Sequence, residues 1–194
     1  MLTLYYSPGS SSFATHIALN EVGAPYELKL TSLHQNAHHA PEYLAINPEA
    51  KVPTLVIDGR PLTEVAATLW YLARRYPEAG LLPQYGDAEA EARVISWMSF
   101  IAATIHPSRR AGRERWQQAF ELAEQKLGGA EWCVGRYSIA DIHLFRLFWR
   151  YVDSEHPPDS AFPGLMAHYR RMMARPAVKR TVAAEAAIGY HLPH

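Results

Sequence analysis

The spacing of hydrophobic positions along this 194-residue chain changes near residue 76. Before that point, short apolar runs alternate with stretches of helical period, the pattern of an α/β unit. Leu2 to Tyr6 is a compact apolar run stopped by Ser7-Pro8-Gly9, which predicts a buried strand entering a tight loop. From Ser12, the apolar positions Phe13, Ile17 and Val22 fall at helical spacing, and Gly23 stands where a C-terminal cap belongs. Tyr26 to Leu30, released by Pro25, is predicted as a second strand, and Pro41 to Ile46 as a short helix stopped by Asn47-Pro48. Val52 to Ile57 carries the strongest strand pattern. Asp58-Gly59 is a hairpin signal, and Arg60 to Leu62 returns as the partner strand. Thr63 to Tyr76 is predicted as a helix with Leu69, Leu72 and Tyr76 along one face. A parallel strand pair needs a crossover helix, whereas the last two strands join through a two-residue turn. The order β-α-β-α-β-β-α therefore predicts a mixed four-stranded sheet.

Past Tyr76 the strand signals vanish. Pro77, Gly80, Pro83 and Gly86 punctuate a connection that reads as a linker. Helices are expected over Asp87 to His106, Arg113 to Leu127, Ser138 to Tyr151, Pro163 to Ala174 and Ala177 to Ala187. The chain thus divides into an α/β domain over residues 1–76, a linker over 77–87, and an all-helical domain over 88–194. Ser138-x-x-Asp141 has the spacing of a capping box opening an apolar helix.

Charge narrows the function classes. Nineteen basic residues balance nineteen acidic ones, and residues 1–76 carry five of the former and six of the latter. Neither half presents the basic surface that an electrostatic nucleic-acid binder needs. No apolar run approaches the ~18 residues of a membrane span, and the first residues lack a signal-peptide pattern. The cytoplasm is the expected location. A single cysteine, Cys133, leaves no disulfide framework and no Cys-rich metal site, and reads as a buried thiol. His34, His38 and His39 lack the neighbouring ligands of a familiar metal motif, so no metal is expected.

Three segments are candidates for chemistry. Ser7 to Ser12 joins a buried strand to a helix N-terminus, where orphan N–H groups and the dipole favour an anion, a thiolate included. Its serines serve equally well as helix caps. Ala50-Lys51-Val52-Pro53-Thr54 places a proline at a strand opening, a position explained if the Val52–Pro53 peptide is cis and turns Val52 outward toward a bound peptide. Leu62-Thr63-Glu64-Val65-Ala66 puts a carboxylate at a helix start, where it complements the dipole or faces an ammonium group.

In order, YYSPGSSS…HIAL, YLAINPEAKVPTL, a D-G turn and LTEVAATLWYLA resemble the glutathione transferase family, nearest to its bacterial beta-class branch. The linker, the helical half and Gly135 to Asp141 continue the resemblance along the chain. It implies a thioredoxin-like N-terminal domain, an all-α C-terminal domain, a cytoplasmic homodimer, and glutathione as co-substrate with a small-molecule acceptor. Val52 would pair with the cysteinyl backbone of glutathione, Pro53 fixing the geometry. Glu64 and the backbone at Val65 would hold its γ-glutamyl end, with Lys51 beside them. Beta-class proteins carry a reactive cysteine where this chain has Ser11, so Ser11 would donate to the sulfur instead of forming a mixed disulfide. Ser10 and Tyr6 are rival donors. Trp97, Phe100 and His106 would line the acceptor pocket, the last ending its helix, and Arg109, Arg110 and Arg113 would form a basic cluster beyond it. The function implied is attack of the glutathione thiolate on a small, largely apolar electrophile. Glutathione-dependent reduction of disulfides or peroxides, and non-catalytic ligand carriage, are the alternatives.

Overall fold

A computed structural model describes residues 1–190. It comprises two compact units, one formed by Met1–Ala79 with the chain from Pro176 onward, the other by Gly80–Arg175. The first holds a four-stranded sheet in the order β2-β1-β3-β4. Strands β1 (Leu2–Tyr6) and β2 (Tyr26–Leu30) are parallel, joined by α1 (Ser12–Val22). Strand β3 (Thr54–Ile57) runs antiparallel to β1 and to β4 (Arg60–Thr63). Asp58 and Gly59 both adopt positive φ, as a tight hairpin turn between β3 and β4 requires.

Helix α2 (Pro41–Leu44) is shorter than expected. Two other boundaries differ for a local reason. Val52 and Pro53 lie outside β3, the Val52–Pro53 peptide is cis, and a proline nitrogen has no hydrogen to give to a ladder. Thr63 ends β4 instead of opening a helix, because Glu64 takes φ +69° and α3 (Val65–Arg75) begins only after it.

Helix α1 is buried from Ser12 through Leu19. Ser12, Thr15 and His16 are therefore polar groups in an interior, and buried polar groups are nearly always paired. Thr15 bonds Thr68 of α3 at 2.7 Å, while His16 finds its partner on α9 (Pro176–Ala186). That helix was expected within a helical domain over 88–194. It packs on α1 instead, burying Val178, Thr181 and Glu185.

The second unit is helical. Helix α4 (Ala88–Phe100) does not stop at His106 as expected. It continues through a π-helical turn (Ile101–Ile105), a single α turn α5 (His106–Ser108) and a 3-10 turn ending at Ala111. Helices α6 (Arg113–Leu127), α7 (Ile139–Glu155) and α8 (Pro163–Ala174) follow. Phe120, Phe148, Tyr151 and Phe162 form the aromatic centre, with Phe120 and Tyr151 4.7 Å apart between ring centres.

The capping box opens α7 as the spacing predicts. Asp141 is fully buried and has every lone pair in use. One oxygen accepts the Ser138 N–H at 2.8 Å, and the other accepts the Cys133 N–H at 2.8 Å and faces His168 Nε2 at 3.1 Å. Ligand atoms of Cys133, Asp141 and His168 all lie within 4.8 Å, but these bonds account for the carboxylate without an ion. Burial and the neighbouring Asp141 hold the Cys133 thiol well above its usual range, keeping it protonated. Asp141→Ala strips a cap and strands buried donors at once. A loss of about 2 kcal/mol or more is expected in the unfolding free energy measured in urea.

Candidate active site

The strand register brings three loops to one end of the sheet. Tyr5 of β1 stands opposite Thr54 of β3, which stands opposite Thr63 of β4. The loop after β1, the cis Val52–Pro53 peptide before β3, and Glu64-Val65 after β4 therefore leave the sheet side by side. Serines, cis proline and acidic helix start, separate in sequence, share one edge of the first unit.

The three consecutive serines of the loop, Ser10, Ser11 and Ser12, are unequal. Ser12 Oγ accepts the Ser7 N–H and gives its own proton to the Ser7 carbonyl, both at 3.1 Å. Its 2.8 Å contact with Ser10 must then use the Ser10 proton, and Ser10 Oγ also accepts the Ser12 N–H at 3.2 Å. Both hydroxyls are thus spent on holding the loop. Ser11 is half-buried, and among the described residues its hydroxyl makes no hydrogen bond, not even as a cap for α1. It alone of the three has a proton to offer a ligand. Tyr6 is buried, packed edge-on against His16 at 5.7 Å, and its phenol is raised above the ordinary value by burial first, then by Glu185 and Tyr26. A less acidic phenol is a poorer donor to a thiolate.

What fixes this loop comes from far away in sequence. Glu185 of α9, fully buried, accepts the Gly9 N–H at 2.7 Å through one oxygen. Its other oxygen meets His16 Nδ1 at 2.7 Å, and His16 Nε2 reaches the Tyr26 hydroxyl at 3.1 Å. One carboxylate thereby ties the loop after β1, α1 and β2 to α9.

The cis proline segment is held from the other side. Asn47 Nδ2 donates to the Lys51 carbonyl at 2.8 Å and to Thr54 Oγ1 at 3.1 Å; the Tyr43 hydroxyl gives its proton to the Lys51 carbonyl and meets Thr54 Oγ1 at 2.9 Å. Clamped on both flanks, Val52 is buried while its backbone groups find no partner among the described residues. Such groups are rarely left unpaired, so they are available to an incoming peptide. Glu64 is exposed, with a side chain that makes no bond among the described residues; its positive φ is strain of the kind that persists at functional sites. Val65 is buried and begins α3, whose first N–H groups can hold a carboxylate. Lys51 is exposed and engaged with Glu49 at 3.0 Å, as an ordinary loop lysine would be.

The remaining candidates lie in the second unit. Trp97 is buried, 6.0 Å from Phe100, with the Lys126 ammonium over both rings, so it backs a wall instead of presenting a surface. Phe100 is half-buried and His106 exposed. The π-helical turn between them is a device found often at functional sites. The expected arginine cluster is split: Arg113 pairs with Glu155 at 2.8 Å, Arg110 is exposed, and Arg109 turns inward over Trp116.

Buried His143 of α7 adds a pH dependence. Desolvation first, then Arg146 and His106, lower its pKa to about 3. The unfolded chain titrates this group near 6.5, so it takes up protons that the folded chain refuses. Stability should be intact above about pH 6.5 and fall by up to about 1.4 kcal/mol per unit towards pH 3. His143→Leu should flatten that slope in urea titrations; an unchanged slope would assign the acid sensitivity elsewhere.

Residues 1–74 match the family model "Glutathione S-transferase, N-terminal domain", and residues 95–176 match the corresponding C-terminal domain. The chain belongs to the glutathione S-transferase family. A glutathione S-transferase of Xanthomonas campestris is 30% identical, aligned over 95% of this chain and 98% of its own. A maleylacetoacetate isomerase of Rhizobium meliloti is 35% identical over 59% of this chain and 60% of its own. Among solved structures, a glutathione transferase from Methylococcus capsulatus superposes with a TM-score of 0.86 at 31% identity, covering 96% of this chain and 100% of that one. A sphingomonad glutathione S-transferase complexed with glutathione gives 0.83 at 30% identity over 95% and 98%. The transferase has the two-part family architecture, a mixed sheet with helices followed by a helical domain. Among the described residues no helix is long and apolar enough to cross a membrane.

The sequence alone does not single out Glu185, His16, Asn47 or Tyr43: Asn47 reads only as a helix stop, and nothing near residue 185 signals a partner near residue 9.

Proposed function

We propose that the first unit binds glutathione along the cis Val52–Pro53 edge and activates its thiol at Ser11 for attack on a small, largely apolar electrophile. The observation that carries this reading is the coincidence, at one sheet edge, of unpaired Val52 backbone groups and an unspent Ser11 hydroxyl. A cysteinyl backbone seated on Val52 would lie beside the half-buried Ser11, whose hydroxyl is unspent among the described residues. Glu64 and the N–H groups opening α3 suit the γ-glutamyl ammonium and carboxylate, and the exposed His106 with Phe100 suits the acceptor. A thiol of pKa ~8.5 is only a few per cent ionised at neutral pH. Lowering it by ~2 units takes about 2.7 kcal/mol of preferential thiolate stabilisation. A hydroxyl donor and a helix N-terminus together supply that much.

Calorimetry with reduced glutathione tests the binding half, and saturable binding is expected. No detectable heat at millimolar ligand, where even about 4 kcal/mol of affinity would register, would sink it. A panel of electrophiles, disulfides and peroxides then separates conjugation from reduction, and binding without turnover would leave carriage.

Glutathione-dependent isomerisation is a second reading, favoured by the similarity to a maleylacetoacetate isomerase. The same thiolate would add to a conjugated double bond, allow rotation and leave again. Product forming while the glutathione concentration stays constant distinguishes it from conjugation.

A further inference from the structure

Asn47 to Ala50 makes a tight turn immediately before Lys51. The Ala50 N–H returns to the Asn47 carbonyl at 3.1 Å, and Ala50 takes φ +54°, a left-handed conformation that alanine rarely adopts. Such a conformation persists only where the surroundings over-determine it. Here the surroundings are the side chains of Asn47, Thr54 and Tyr43, at 1%, 0% and 5% exposure, so their polar groups are shielded from water.

The protons of this cluster follow from its bonds. Tyr43 has one, and it goes to the Lys51 carbonyl. Its 2.9 Å contact with Thr54 Oγ1 must then use the threonine proton. Thr54 in turn accepts one hydrogen of Asn47 Nδ2 at 3.1 Å, and the other goes to the Lys51 carbonyl at 2.8 Å. Asn47 Oδ1 accepts the Glu49 N–H at 3.0 Å, which fixes the amide's orientation. The donors run one way, from Asn47 through Thr54 to Tyr43, and both ends close on the Lys51 carbonyl. Burial holds the Tyr43 phenol above its ordinary value, so its proton stays in place near neutral pH.

That carbonyl shares a planar peptide with the Val52 nitrogen, and this peptide is trans. In a trans peptide the C=O and the N–H point in opposite directions. Two donors that draw the Lys51 carbonyl inward therefore aim the Val52 N–H outward.

We infer that Asn47, with Thr54 and Tyr43, is a positioning residue for glutathione: by holding the Lys51 carbonyl it sets the angle at which Val52 meets the ligand's cysteinyl backbone. This rests on the reading of Val52 as the edge that binds glutathione. The cluster is buried behind that edge and works through the backbone alone. A backbone ordered in advance loses little freedom when a ligand arrives, which strengthens binding. The bonds of the cluster stop at Lys51 and Glu49 and do not include the serine loop, so thiol ionisation is left to Ser11. Affinity and activation thus belong to different residues.

The test is calorimetry of the whole chain with reduced glutathione, joined to thiolate absorbance of the bound ligand and to rates with a chlorodinitrobenzene. Asn47→Ala removes both amide donors and should weaken glutathione roughly tenfold or more. Tyr43→Phe removes one donor to the carbonyl and should weaken it about three- to tenfold. In both, KM for glutathione should rise while kcat at saturation and the bound thiol pKa keep their parental values. Thr54→Val should act like Tyr43→Phe, and Thr54→Ser, which keeps the hydroxyl, should recover most of the affinity. Urea unfolding checks that each variant is folded at the assay temperature. Should Asn47→Ala fail that check, Tyr43→Phe and the Thr54 pair carry the test. Parental affinity in Tyr43→Phe and Thr54→Val, with the parent binding glutathione, would overturn the inference alone. Weaker binding accompanied by a lower kcat and a raised thiol pKa would show general loosening of the site, and would overturn it too. No binding by the parent would remove the glutathione reading itself, and the inference with it.

Discussion

Glu185→Ala should be among the most damaging substitutions in this transferase, costing about 3–5 kcal/mol of stability. The carboxylate and the imidazole it meets are both buried, at 0% and 1% side-chain exposure, so neither can turn to water when the other is lost. Removal strands His16 Nδ1 and the Gly9 N–H together, and each stranded buried group carries its own desolvation cost of about 1–3 kcal/mol. The damage reaches the chemistry because Gly9 is two residues from Ser11. Glu185→Gln keeps an acceptor for Gly9 while removing the charge, so it should fall between the parent and Ala. Urea midpoints rank the three, and turnover with a common electrophile should follow the same order. A Glu185→Ala protein within about 1 kcal/mol of the parent would show that α9 contributes packing and little else to the loop.

The fold was legible where local pattern decides it. Short apolar runs marked the strands, Asp58-Gly59 the hairpin, Gly23 a helix end, and Ser138-x-x-Asp141 a helix start. Each of these signals acts over a few residues, and each recurs in the structure. The site was legible only in outline. Three serines in a row are chemically identical in sequence; they are told apart only when the loop closes and two of them spend their protons on Ser7 and on each other. Glu185 could not have been found in that way, because it lies 169 residues from His16 and its surroundings read as an ordinary helix. The same limit explains Trp97. Helical spacing places it near Phe100, but only the tertiary structure reveals Lys126 over its ring. At His106 the sequence predicts a helix end that the structure does not show. The helix adopts a π-helical turn and carries on, and residues of ordinary helix propensity encode either form.

The substitution with the greatest bearing on the chemistry is Ser11→Ala. Its hydroxyl holds nothing together, so the unfolding midpoint should stay within about 0.5 kcal/mol of the parent. A charge-assisted hydrogen bond to the thiolate is worth roughly 1.5–3 kcal/mol, so conjugation should slow about ten- to hundred-fold. Glutathione affinity should be nearly intact while the bound thiol pKa rises, read from thiolate absorbance across pH. Ser12→Ala is the contrasting case: it removes both bonds to Ser7, so stability and rate should fall together. Ser11→Cys should trap glutathione as a mixed disulfide under an oxidant such as glutathione disulfide, one thiolate displacing the other. Tyr6→Phe decides between donors. Its phenol is buried and raised in pKa, so turnover should survive its loss. Should Tyr6→Phe abolish turnover while Ser11→Ala leaves it untouched, the donor is the tyrosine and the unspent hydroxyl of Ser11 has no part in the chemistry. If neither matters and bound glutathione ionises no more readily than free glutathione, the loop does not activate the thiol at all. The unpaired backbone of Val52 would then serve binding alone.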